Sequence, residues 1–182
     1  MLNSDTAPTS RPQASLRGQA LRLLCLDCTT DKAAQVHALN AADWPLDVDE
    51  ILTAPPLLPG RPERPHLVHP SQLKTRAVGT LEGRAGLIHA LTHIEANAIN
   101  LALDMMWRFA GLPADFYLDW WRVAQEEALH FDLLHQHLIR LGFAYGDFPA
   151  HDAGTAGAGA THPGGPWPGC HACRAQPAGV SG

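Results

Sequence analysis

The chain has 182 residues, with 13 Lys and Arg against 18 Asp and Glu for a formal net charge of −5. That length fits one ordinary domain, and 46% apolar with only 17% charged residues excludes a disordered polyelectrolyte. The mild acidity argues against a dedicated nucleic-acid surface, and no stretch approaches the ~18–20 unbroken apolar residues of a membrane span. The first residues also lack the basic and apolar regions of a secretory signal, so the cytosol is the expected compartment.

Residues 1–14 are polar and contain Pro and Thr, and are expected to be disordered. Leu16, Ala20, Leu23 and Leu24 then recur at helical spacing, and Thr29-Thr30-Asp31 reads as a break with a new N-cap. Two short helices are predicted over residues 15–42. From 43 to 78 the composition changes. Pro45, Pro55, Pro56, Pro59, Pro62, Pro65 and Pro70 forbid a continuous helix and remove ladder donors, which predicts an extended arm over the outside of the domain.

Residues 80–141 carry the strongest periodicity. Ile88, Leu91, Glu95, Ala98, Ala102, Met105 and Phe109 form one stripe. Gly111-Leu112-Pro113 is a stop and turn, with Asp115 the expected N-cap of the next helix. The second stripe runs Phe116, Trp120, Val123, Glu127, His130, Leu134, Leu138 and Leu141, and Gly142 closes it as a C′ glycine. Two helices of about 26–30 residues joined by so short a turn must fold back as an antiparallel hairpin.

Both stripes are interrupted by ionisable residues at their centres. Glu95 lies 17 residues before Leu112, while Glu127 and His130 lie 15 and 18 residues after it. At about 1.5 Å per residue all three reach one level, roughly 25 Å from the turn. An unpaired carboxylate in an apolar stripe costs several kcal/mol unless it is protonated, ion-paired or bound to metal. A Glu facing Glu-x-x-His across a helix pair is half of a di-iron carboxylate ligand set, so Glu95, Glu127 and His130 are the candidate metal ligands. Hard carboxylates neutralise two cations, an imidazole caps one, and open positions admit O2. The competing reading is a solvated polar pair of Glu127 and His130 beside Arg84 or Arg122.

Other motifs carry less chemistry. Cys25-Leu26-Asp27-Cys28 and Cys170-His171-Ala172-Cys173 are two Cys-x-x-Cys pairs, but 141 residues separate them, and Cys25 and Cys28 fall in an amphipathic helical pattern without the Gly or Pro of a zinc knuckle. His89 and His93 lie opposite Glu95 and, with Asn97, Asn100 and Asp104, read as the polar face of their helix. Trp107, Trp120, Trp121 and Phe116 read as core and arm packing rather than a base-stacking platform.

The run from Gly83 to Glu95 resembles the first bundle helix of the domain-of-unknown-function 455 family, of the ferritin-like superfamily. Asp119-Trp120, Val123-Ala124, Glu127-Ala128, His130-Phe131 and the run Tyr145 to Asp152 are similar to its next blocks, and Pro59-Gly60-Arg61-Pro62 with Pro65 and Leu67-Val68 to its arm. The resemblance covers about residues 15–152. It implies an all-α fold, a ferritin-like four-helix bundle with a di-iron site, and, through the superfamily, kinship with tRNA-modifying hydroxylases. In that family two more long helices follow the His151-Asp152 block and supply another Glu and a second Glu-x-x-His.

Here residues 153–182 contain eight Gly and four Pro but no Asp, Glu, Leu or Ile. Such a tail is expected to be disordered, and the abrupt change suggests a truncated or frame-shifted end. The expectation is therefore a partial ferritin-like domain, 15–152, that lacks half its ligand set and leaves an apolar face uncovered. Either two copies pair as a homodimer and rebuild four helices, or the chain is unstable; the alternative to the di-iron reading is a non-catalytic helical interaction module that dimerises or binds a protein partner.

Overall fold

The computed structural model describes residues 14–53, 55–73 and 76–151, and within them the fold is all-helical. The expected tail 153–182 and residues 1–13 lie outside the described residues. Helix α1 spans Leu16–Leu24, α2 Thr29–Ala38, α3 Leu81–Arg108 and α4 Ala114–Arg140. Among the described residues there is no strand, only an isolated bridge between Leu67 and Ala150, and no helix is long and apolar enough to cross a membrane.

The helix boundaries follow from local chemistry. Ser15 accepts the Gly18 N–H at the start of α1, and Thr80 accepts the Gly83 N–H at the start of α3. Two expected caps fall elsewhere. The break between α1 and α2 is Cys25 to Cys28, with Thr29, Thr30 and Asp31 already in the first turn of α2. Pro113, not Asp115, is the N-cap of α4, because its fixed φ leads straight into a helix and leaves Asp115 to face the positive helix end. Gly142 has φ +86 and ends α4 as expected, releasing Phe143 N–H to the Leu138 carbonyl.

The long helices α3 and α4 form the antiparallel hairpin, with α1 lying on α3 and α2 on α4. Leu16, Ala20, Leu23, Ala33 and Val36 of the short helices meet Ile99, Leu103, Met106, Tyr117, Trp121 and Ala124 in one core. The fully buried rows of the hairpin sit about one residue, or 100°, round from the stripes read in the sequence. On α3 the buried row includes Ala85, His89, Thr92, Ala96, Ile99, Leu103 and Met106; on α4 it is Tyr117, Trp121, Ala124, Ala128, Phe131 and Leu138. The sequence stripes mark the edge of this core, where Ala102 and Leu138 are fully buried and Phe116, Trp120 and Val123 pack against it. There Leu91 and Phe109 are exposed, and Val123 and Leu134 are half-buried.

His89 and His93, on the polar face of α3, are buried in structural roles. They meet the segment after α4: the Gly146 N–H donates to His89 Nε2 at 3.0 Å, and His93 Nδ1 lies 2.8 Å from the Tyr145 hydroxyl. That segment in turn joins the arm, through Val68 N–H to the Ala150 carbonyl and Ala150 N–H to the His66 carbonyl. The Pro-rich arm does run outside the helices as an extended segment. Lys32, nearly fully buried, holds it by donating to the Leu24 and Gly60 carbonyls and to Asn100 Oδ1. Those three acceptors use every proton of an ammonium, while burial pulls the Lys32 pKa down to about 7.

Candidate metal centre

The hairpin brings Glu95, Glu127 and His130 together as the helical register requires. One ligand atom from each lies within 4.8 Å of the others, and no other such group of three or more acidic, His or Cys side chains occurs among the described residues. Two ligands of one cation are at most about 4.2 Å apart, twice a metal–oxygen distance of about 2.1 Å. A small rotamer adjustment therefore closes the set. The cluster sits at the middle of the hairpin: Glu95 is the fifteenth of the 28 residues of α3 and Glu127 the fourteenth of the 27 of α4.

The electrostatics are those of crowded carboxylates. His130 Nδ1 lies 3.1 Å from Glu127 Oε2, and Glu95 shares a hydrogen bond with Glu127. Burial, followed by that hydrogen bond and the Glu127 charge, pushes the Glu95 pKa up to about 7. The same hydrogen bond, helped by His130, holds Glu127 below the usual carboxylate range. At neutral pH the Glu95 carboxyl thus holds a proton for much of the time and donates it to the Glu127 carboxylate.

Neither arginine of the competing reading neutralises the pair. Arg122 is bound to Asp119 at 3.1 Å, and Arg84 donates to the Gly79 carbonyl. The site is not sealed. The Glu127 side chain is 24% exposed and that of His130 52%, because the three residues lie at the edge of the hairpin's buried row and not within it.

The Cys-x-x-Cys pair lies elsewhere, with Cys25 exposed at the C-cap of α1 and Cys28 buried at the N-cap of α2. Its distant counterpart, Cys170 and Cys173, falls outside the described residues. The tryptophans pack as expected: Trp121 is in the core, with Trp107 and Trp120 against it.

Sequence reasoning missed the residues that rigidify this frame. Arg17, fully buried, donates to the Met106, Trp107 and Phe109 carbonyls at the end of α3 and to the Val48 and Glu50 carbonyls of the arm. It acts as the C-terminal cap of α3, supplying donors to carbonyls that the helix cannot satisfy. The available signal was the placement of Arg17 and Lys32 beside apolar repeat positions of their helices, next to Leu16 and Ala33, whereas Arg22 of α1 is exposed.

Comparison with known proteins gives consistent results. An uncharacterized protein of Haemophilus influenzae is 39% identical over 150 residues, covering 79% of this chain and 48% of its own length. The chain thus spans about half the length of the curated relative it matches. No solved structure matches it. A family model described as protein of unknown function (DUF455) matches residues 25–162, three-quarters of the chain, and the chain belongs to that family.

Proposed function

We propose that Glu95, Glu127 and His130 bind a divalent metal, iron first, as half of a ferritin-like di-iron carboxylate site. On this reading the chain derives from a cytosolic oxidoreductase or hydroxylase, and its described residues supply half the ligands of a full dinuclear centre. The observation that carries the reading is the convergence of two carboxyls and an imidazole at mid-hairpin, with neither Arg84 nor Arg122 bound to them. Oxygen and imidazole donors suit Fe(II) and Mn(II). Bound iron would supply one-electron chemistry and a place for O2. The residues themselves would give up the proton held by Glu95, orient the His130 ring through Glu127, and leave the exposed side of the cluster open to solvent.

A second reading is favoured by one observation, the exposed apolar side chains of α3 beside the cluster: a helical interaction module with no metal chemistry. Anaerobic titration with Fe(II), or with Mn(II) followed by electron paramagnetic resonance, separates the two. Saturable binding that drops at least about tenfold in Glu127→Gln supports the metal site. Equal, weak binding by wild type and variant favours the module.

A further inference from the structure

The hairpin face turned away from α1 and α2 carries an apolar row along α3. Leu87, Leu91, Ile94, Ala98, Leu101 and Met105 follow one another at alternating intervals of four and three, the spacing of a coiled-coil seam. Leu87, Ile94 and Leu101 are about half exposed, at 49%, 49% and 56%. Across the ligand cluster, Leu133 of α4 is 55% exposed. A seam of this length on a helix already packed on its other side is the surface against which a further helix would pack.

The same face holds a ligand set of three, where a dinuclear carboxylate centre draws about six side chains from four helices. Residues 153–182 contain no Asp or Glu and no Leu or Ile, so they offer neither the missing carboxylates nor a complementary seam.

We propose that a second copy of this chain occupies this face, so that each copy contributes Glu95, Glu127 and His130 to one shared site. The proposal rests on the metal reading above for the ligands, and on the α3 seam for the docking. The position of the cluster supports it independently. Because Glu95 and Glu127 stand at the mid-points of their helices, either twofold axis lying in the plane of the interface sets the two ligand groups opposite each other. It does so while keeping the helices overlapped along their whole length. A cluster near one end would be brought into register by only one of these axes. The area is also sufficient: two helices each about 40 Å long and about 10 Å apart present roughly 800 Å², the share of each partner in a standard stable interface.

The test is the mass of the full chain by sedimentation equilibrium, in metal-free buffer and with anaerobic Fe(II), alongside iron binding. Wild type is expected at the mass of two copies with iron present, saturating at one iron per chain. Leu87→Lys/Leu101→Lys places charge on the seam about two turns from the ligands. It is expected to shift the protein to single-copy mass and weaken iron binding about tenfold or more, with unchanged helical circular dichroism. Leu133→Lys, on the other helix, gives the same answer by a second route if the double variant loses helicity. A single-copy mass with iron bound overturns the pairing and leaves the metal site standing. A two-copy mass insensitive to both seam variants also overturns it. A two-copy species dispersed by the seam variants but unable to bind iron supports the docking and overturns the metal reading.

Discussion

At the scale of single residues, Glu95 has the most informative environment. Its carboxyl keeps a proton up to about pH 7 because it is desolvated and faces Glu127. The sign for folding follows from this. The folded state holds a proton that the unfolded chain releases above about pH 4.5, so this group's contribution to stability falls as pH rises toward 7. The sign for metal binding is opposite, because a cation must displace that proton. Mn(II) affinity measured between pH 6 and 8 should rise, approaching about tenfold per unit below pH 7 and levelling above it. Glu95→Gln should bind more weakly and lose most of that slope; a slope retained in full would place the titrating proton elsewhere.

Arg17 makes a separate residue-scale prediction. Its planar fork reaches the end of α3 and the arm at once, which a lysine's single ammonium does not reproduce. Arg17→Lys leaves buried carbonyls without donors and should lower unfolding free energy by about 3 kcal/mol in urea titration. A loss under about 1 kcal/mol would mean that water replaces the guanidinium.

At the scale of elements, the hairpin, its turn and the level at which Glu95, Glu127 and His130 meet were legible because they depend only on local punctuation and a fixed rise per residue. Pro113 and Gly142 stop and start helices whatever surrounds them, and Glu95, Glu127 and His130 meet through arithmetic alone. What was not legible was which face of each helix is closed. Outside the polar row of His89, His93, Asn97, Asn100 and Asp104, the α3 helix is apolar over a wide arc, so periodicity finds a stripe without saying what covers it. Only the placement of α1 and α2 makes Ile99 and Leu103 core and leaves Leu91 and Ile94 outside. The structural role of His89 and His93 was legible from their polar face, but not which residues they bind. Their partners, Gly146 and Tyr145, lie more than 50 residues away, and no local rule anticipates that pairing.

The arm's attachment is likewise a tertiary fact. Gly60 N–H donates to the Leu24 carbonyl at 2.9 Å, and a Cβ on Gly60 would lie 2.2 Å from the Cys25 carbonyl oxygen. Backbone cannot yield as a flexible side chain does, so Gly60→Ala should lift the arm from α1 and cost about 1–3 kcal/mol. Limited proteolysis should then cut within residues 55–73 well before the hairpin, and an unchanged cleavage pattern would show that the arm is held without this contact.

At the scale of the whole molecule, the hairpin is clamped on its inner side by a circuit that closes on His89. The arm is joined to the segment after α4 by Val68 and Ala150, and that segment is joined to α3 by Gly146 and Tyr145. His89 Nε2 accepts a hydrogen bond, so the ring is neutral there with its proton on Nδ1. Burial, then the neighbouring His93, lower its pKa to about 4; Asp147 opposes them, and Arg76 adds a smaller push in the same direction.

The linkage sign is therefore fixed. An unfolded chain takes up the proton near pH 6.5 while the folded chain refuses it until about pH 4, so stability is full above 6.5 and declines as pH falls between those values. Over that window Glu95 works the other way, its protonated form being favoured in the folded state, and the two dependences partly cancel in wild type. Separating them takes one substitution each. His89→Gln should be less stable at pH 7.5 yet lose less stability on acidification, whereas Glu95→Gln should leave the acid decline steeper than wild type above pH 5. Thermal melting from pH 5 to 8, paired with hydrogen exchange at the Gly146 amide, reads both. Were that amide to keep its protection at pH 5 while the whole protein destabilises, the closure on His89 would not be where acid first opens the fold.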